Sequence, residues 1–296
     1  MRIDLVKLFC NIHDFWMNFE NQWNQILLAQ GKRSPRRLPC LHPSEVMTII
    51  ILFHISGFRC FKNFYNGYIL RHLHQDFPKC PSYQRFVELK KSNVFPLYCY
   101  LISCMGQVTG ISFVDSTSLE VCHPKRIGKH KVFKGLAMRG KTSMGWFFGF
   151  KVHLIVNDVG ELLAFSLTPG NIDDRKPVPA LVEGRIIGLL FGDRGYISVD
   201  LAEKLREYGV QLITRLRSNM KNKLMPLMDK LLLRKRGIVE TIIDQLKNIS
   251  QIEHSRHRSP VNFVVNLLGG LIAYCHQPKK PSLNLSENES NSLMIC

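Results

Sequence analysis

Apolar positions change rhythm along the chain, and the change divides it in three. Over the first hundred residues they come as helix-length runs. Val46-Met47-Thr48-Ile49-Ile50-Ile51-Leu52-Phe53 sits in a stretch where apolar residues continue over about twelve positions, too long for an ordinary strand. The β-branched residues Thr48 to Ile51 would suit a strand, but the length favours a buried helix, with Pro43-Ser44-Glu45 as its start signal. Pro81-Ser82 opens a second helix through Tyr83 to Leu89 in the same way. Residues 1–105 are therefore expected to be mostly helical.

From about residue 108 the runs shorten and are bounded by Gly and Asp. Ile111–Val114, Trp146–Val156, Leu162–Leu167, Ile186–Phe191 and Val210–Leu216 read as strands, with a helix over Val199–Tyr208. Asn157-Asp158-Val159-Gly160 is a turn between two of these strands, hence a hairpin. The order of strand, hairpin, strand, helix, strand and helix predicts an α/β domain over 106–275 with a mixed sheet flanked by helices. Residues 276–296, rich in Ser, Asn, Pro and Glu, are expected to form a flexible tail.

Charge narrows the function. Forty Lys and Arg against twenty-three Asp and Glu give a formal charge of +17 over 296 residues, which calls for a polyanionic partner. A membrane is disfavoured, because the most apolar stretches, Val46–Leu52 and Phe263–Cys275, fall short of the ~20 residues needed to span a bilayer. Nucleic acid remains. The amino terminus lacks a signal-peptide pattern, and nine cysteines without a C-x-x-C pair argue against a zinc module and for a reducing compartment, the cytoplasm. In residues 1–105 the cations Arg33, Arg36, Arg37, Arg59, Lys62, Lys90 and Lys91 lie among the aromatics Phe61, Phe64, Tyr65 and Tyr68, as suits either a DNA-docking unit or an ordinary solvated helical surface.

Three acids stand where chemistry would need them. Asp115 follows Ile111–Val114, Asp193 follows Ile186–Gly192, and Glu240 lies on a helix opening near Gly237. A carboxylate at the exit of a buried strand has a rigid mount at the edge where open α/β sheets bind ligands. Taken singly, each Asp is as well explained as a turn former or helix cap. Together they can share hard divalent cations such as Mg²⁺, which take carboxylate oxygens and need neither Cys nor His. Two such ions ~3.5–4 Å apart serve in-line phosphoryl displacement. On the Glu240 helix, Arg236, Glu240, Ile243 or Asp244, and Lys247 share a stripe while Val239, Ile242 and Leu246 can pack. Arg236 and Lys247 would then hold phosphates on either side of the acid, and Asp244 is a rival third carboxylate.

No Asp or Glu occurs between Glu120 and Asp158. That span carries Lys125, Arg126, Lys129, Lys131, Lys134, Arg139, Lys141 and Lys151 among glycines, and reads as a cationic loop or hairpin for a phosphodiester backbone. A second cationic run holds Arg215, Arg217, Lys221, Lys223, Lys230, Arg234, Lys235 and Arg236, and His254, Arg256, His257 and Arg258 form a further knot. His153 is expected as a satisfied sheet residue, and Asp173-Asp174-Arg175 as a capped helix start or a supporting carboxylate.

These residues together resemble the DDE transposases of bacterial insertion sequences. The resemblance is carried by Phe113-Val114-Asp115-Ser116-Thr117, Gly149-Phe150-Lys151-Val152-His153, Gly192-Asp193-Arg194-Gly195-Tyr196 and the spacing Arg236-x3-Glu240-x6-Lys247. Leu233 stands where that family's pattern carries a Tyr. Ser44-Glu45-Val46, Phe58–Tyr65, Phe77-Pro78 with Ser82–Phe86, and Glu253–Pro260 through Asn266-Leu267 are similar to the subgroup numbered nine-eight-two. The resemblance spans about residues 40–275. It implies a ribonuclease-H-like catalytic domain over 106–275 behind a DNA-binding region at 1–105. It further implies cleavage at terminal inverted repeats and joining of the 3′-hydroxyl to target DNA, with Asp115, Asp193 and Glu240 holding Mg²⁺ (Mn²⁺ able to substitute) and Arg236 and Lys247 on the DNA. The implied partners are double-stranded DNA, both element ends and target, and a second copy in a homodimer on DNA, in a bacterial cytoplasm at the nucleoid. A nuclease of the same fold without strand transfer, or a non-catalytic DNA-binding regulator, are the alternatives.

Overall fold

The computed structural model describes residues 4–31, 40–143, 145–215, 226–253 and 257–283. Arg33, Arg36, Arg37, Arg217, Lys221, Lys223, His254, Arg256 and tail residues 284–296 lie outside them. Two compact units emerge, one from residues 1–104 with 246–276 and one from 105–245 with 277–296. Leu246–His276, grouped by sequence with residues 106–275, thus cluster with the helices of residues 1–104.

The first unit is helical. α1 (Leu5–Ala29) is capped by Asp4, whose carboxylate accepts from the Val6 and Lys7 N–H groups. It buries Leu8, Ile12, Trp16 and Phe19, a three-to-four-residue spacing that makes one apolar stripe. α2 (Pro43–Ile55) forms where expected. The cap is His42 rather than Ser44, and Glu45 reaches back to the His42 N–H at 2.6 Å. Val46 to His54 are all buried, so α2 is covered on every side. A short helical stretch follows, α3 (Phe61–Asn63), a π-helical turn (Phe64–Ile69) and α4 (Leu70–His72). α5 (Tyr83–Ser92) starts at Ser82 as expected, and α6 (Val94–Ser103) completes this part.

The second unit holds a six-stranded sheet. Its strands are β1 (Ile111–Cys122), β2 (Met138–Thr142), β3 (Gly145–Asn157), β4 (Leu162–Pro169), β5 (Gly188–Gly192) and β6 (Val210–Thr214), in the order β2-β3-β1-β5-β6 with β4 also on β3. β1–β5 and β5–β6 are parallel and the other pairs antiparallel, giving the mixed sheet that the element order predicts. The β3–β4 hairpin turns at 157–160 as expected. α7 (Val178–Val182) and α8 (Val199–Glu207) cover one face through Val114, Ile155, Leu190 and Tyr196. α9 (Leu227–Lys235) packs on β5 and β6, and α10 (Gly237–Asn248) follows it.

Three local expectations change. β1 does not stop at Val114 but continues to Cys122, because β3 offers an antiparallel partner along its whole length. Part of the expected loop after it is ordered, as a 3₁₀ turn (Pro124–Lys129) and β2. The stretch expected to start the tail is tied down as well, since the Leu283 N–H donates to the Asp158 carbonyl at 2.9 Å.

In the helical unit α11 (Pro260–Cys275) packs on α2, α5 and α6. Gly269 permits the approach to α2, for a Cβ there would stand 2.9 Å from His54 and Ile50. In the sheet, Phe113 and Phe191 are paired in parallel register with ring centroids 5.5 Å apart, both fully buried. Phe113→Ala should cost this unit about 3–5 kcal/mol in urea denaturation, as expected for a buried aromatic deletion.

Candidate active site

The Phe113–Phe191 pair sets the geometry of the acids. Side chains alternate along a strand, so the residue two further on faces the same way. Two positions beyond this pair are Asp115, still on β1, and Asp193, the first residue past the end of β5. Both thus lie at the carboxyl edge of the parallel pair, near enough for the Asp193 charge to act on Asp115. Asp193 follows the end of β5 as expected. Asp115 is not at a strand end, as β1 runs on past it; it lies just beyond the last β1–β5 pair, opposite Leu154 of β3.

Each carboxylate is held. Asp115 Oδ1 accepts from the Ser116 N–H at 2.8 Å, and Asp193 Oδ1 accepts from the Gly195 N–H at 2.8 Å, capping the 3₁₀ turn Arg194–Tyr196. The cap role weighed against metal binding is thus real for Asp193, and its Oδ2 is left over from that bond. Glu240 lies in the first turn of α10, 63% exposed, while Val239, Ile242 and Leu246 are buried as their spacing requires.

Arg236, between α9 and α10, joins two of the acids. One guanidinium nitrogen donates to Asp115 Oδ2 at 3.0 Å and another to Glu240 Oε1 at 2.7 Å. Burial pushes the Asp115 carboxyl above the usual carboxylate range, and the neighbouring Asp193 charge adds to this, against the opposing pull of Arg236 and the Ser116 N–H. Asp115 and Glu240 thus meet on one guanidinium, with Asp193 within electrostatic reach of Asp115. Asp244 is exposed a turn further along α10. Among the described residues no three His, Cys, Asp or Glu side chains form a ready-made metal group. The donors are nonetheless all hard carboxylate oxygens, and a cation, the guanidinium, already bridges two of them, so the set fits a divalent ion once Arg236 withdraws.

The cations divide. Lys125, Arg126, Lys129, Lys131, Lys134, Arg139 and Lys141 are all exposed, on a segment anchored by buried Phe133 and Ala137. Lys247, further along the Glu240 helix, pairs with Glu253 at 3.1 Å. Lys151, counted by sequence with the exposed run, is buried and donates to Asp174 Oδ1 at 2.9 Å and to the Ile172 carbonyl at 3.0 Å.

Behind the acids, on the opposite sheet face, lies a polar cluster that sequence resolved only in pieces. Ser116 and His153 are cross-strand partners; His153 is fully buried, its Nε2 2.8 Å from Thr168 Oγ1 and its Nδ1 without a hydrogen-bond partner. Tyr196 is buried within the influence of Asp115, Asp174 and Asp193, and burial with those charges holds its phenol protonated. The His153 imidazole is pushed down to about 4, mainly by burial, with Lys151 adding to the shift and Asp174 opposing it. The unfolded chain takes up this proton near pH 6.5 and the folded one only near 4, so stability falls as pH drops between those values and levels off below. His153→Gln should remove about 3 kcal/mol of that acid loss, read as the difference in urea stability between pH 7.5 and 4.5.

Comparison with known proteins gives the family. A family model described as a transposase DDE domain matches residues 105–260, more than half of the chain. No curated protein matches the chain. Among solved structures, a cryo-EM structure of piggyBac transposase in a synaptic complex with hairpin DNA is similar over 98% of this chain and 79% of that one, with a TM-score of 0.50 and 11% identity. At that identity the likeness is one of fold, a ribonuclease-H-like sheet flanked by helices. With its acids on the sheet edge inside the matched segment, the chain belongs to the family of DDE-domain transposases.

Proposed function

We propose that this protein is an insertion-sequence transposase of the subgroup numbered nine-eight-two. In this proposal it binds terminal inverted repeats, cleaves at the element ends and joins the freed 3′-hydroxyl to target DNA. The observation that carries the proposal is that Asp115 and Asp193 both lie two residues past the last β1–β5 pair, with Glu240 tied to Asp115 through Arg236. Asp115, Asp193 and Glu240 would hold Mg²⁺, or Mn²⁺ in its place. Bound there, two hard ions would activate the attacking oxygen and stabilise the leaving one.

The chain's own residues supply the rest. Asp115 sits on a strand locked by neighbours on both sides and Asp193 on a capped turn, so two ligands need no reorganisation. With Asp115 and Glu240 engaged by a metal, Arg236 would be free of them, and its planar fork would suit a DNA phosphate beside the acids. The exposed cations between Lys125 and Lys141 would bind backbone phosphates on either partner duplex, and Lys247 would join them by leaving Glu253. Two ends must be held together for such a reaction, so a homodimer on DNA is the working assembly, in a bacterial cytoplasm at the nucleoid. No helix among the described residues is long and apolar enough to cross a membrane.

Asp115→Asn and Glu240→Gln should each cut end cleavage by at least about a thousandfold, some 4 kcal/mol of transition-state stabilisation, while end binding changes less than about threefold. Labelled element ends incubated with a target plasmid and Mg²⁺ read cleavage and joining separately; undiminished cleavage by purified Asp115→Asn would sink the assignment, and cleavage without joining would mark a nuclease. Arg236→Gln should raise Mn²⁺ affinity in the absence of DNA about tenfold, since the competing guanidinium is gone, although it impairs cleavage. Electron paramagnetic resonance of free Mn²⁺ measures this directly.

A further inference from the structure

The sheet face that carries Asp115 has a second feature at its far end. β3 is regular from Trp146 to Leu154, so Trp146, Phe148, Phe150, Val152 and Leu154 share one face, with Leu154 opposite Asp115. Phe148 and Phe150 are roofed by His130 and Phe133, at ring-centroid distances of 6.2 and 5.5 Å. Trp146 is not roofed by them; it is 55% exposed. Across the β2–β3 pairing, Lys141 stands opposite Trp146 and Arg139 opposite Phe148, so both cations emerge on the same face. The Arg139 guanidinium lies 4.8 Å from the Trp146 ring centroid and the Lys141 ammonium 5.7 Å from it.

This combination needs an occupant. A large aromatic left half in water gains from a covering surface. The two cations rest on a ring rather than on a carboxylate, and no Asp or Glu occurs in the sequence between Glu120 and Asp158 to neutralise them. A neutral or basic protein surface would bury uncompensated charge, whereas a polyanion with apolar faces between its charges complements both parts.

We infer that Arg139, Trp146 and Lys141 form a duplex-DNA contact separate from the acids. The two cations take backbone phosphates, and the indole seats on the sugars and base edges between them. Eight residues of β3 separate Trp146 from the position opposite Asp115, about 26 Å at the rise of an extended strand. That length corresponds to about eight base pairs of B-form DNA, so the contact falls on duplex flanking the reacting phosphate and positions it without touching it. The inference rests on the DNA-binding part of the proposed function, which already gives Arg139 and Lys141 to phosphates, and adds to it the Trp146 seat and its place on the duplex.

The test is equilibrium binding to a 40-base-pair duplex of random sequence, without divalent ions, from 50 to 200 mM salt. Wild type, Trp146→Ala, Trp146→Phe and the double variant Arg139→Gln/Lys141→Gln are compared by fluorescence anisotropy. Losing two phosphate contacts should lower the slope of log affinity against log salt by about 1.8. Trp146→Ala should keep the slope and weaken binding about tenfold, with Trp146→Phe restoring most of the loss. Wild-type slope and affinity in both altered proteins would overturn the contact, and so would a lower slope in the double variant with full affinity in Trp146→Ala. Failure of the wild type to bind duplex at any salt would instead remove the DNA reading itself, and this site with it.

Discussion

Gathering carboxylates around a largely buried one is costly, and here the Arg236 guanidinium offsets part of that cost. Its fork spans Asp115 and Glu240, so an ion pair ties the exposed Glu240 side chain to the sheet, on a helix that packs through Val239 and Ile242. The arrangement is mixed in energy. Asp115 is still pushed toward its protonated form, which means that the guanidinium offsets only part of the cost of burial and of Asp193. A site that is under-neutralised in this way has a standing preference for additional cationic charge.

The rigid part of that site follows from the sheet. Phe113 and Phe191 fix the parallel register of β1 and β5, and everything two residues beyond inherits that alignment. β3, paired with β1 along its length, holds the Asp115 backbone within the sheet. On the reverse face the buried Lys151 and His153, with the half-buried Asp174 and Ser116, form the polar group behind the acids. Glu240 has no such frame; it stands exposed at the start of α10 and is tied through one arginine. The acids thus differ in their mounts, Asp115 within the sheet, Asp193 on the turn that follows β5 and Glu240 on a helix.

The positive charge of the chain is likewise of two kinds. Lys151, Arg236 and Lys247 are engaged with acids within the fold. The cations from Lys125 to Lys141, Lys151 apart, face solvent on a segment that is neither loose nor apolar, because Phe133 and Ala137 pin it down. Net charge alone does not separate these roles. Only those residues whose charge is not spent inside the protein are available to a polyanion.

The sequence by itself determined the period of each segment, and with it the buried helix at 46–53, the hairpin at 157–160, the mixed α/β order and the apolar stripe of α10, because these depend on near neighbours in the chain. It also singled out Asp115, Asp193 and Glu240 as a set. Tertiary structure alone decided that β1 runs on past Asp115, that Leu246–His276 cluster with the helices of residues 1–104, that Lys151 is an internal partner of Asp174, and that Arg236 joins Asp115 to Glu240. Trp146, unremarkable in the sequence, becomes distinctive only when register sets Lys141 opposite it and Arg139 nearby. The physical reason is the same in each case: a strand's length, a helix's host and a charge's partner are set by residues far away in sequence, whose approach no local pattern encodes.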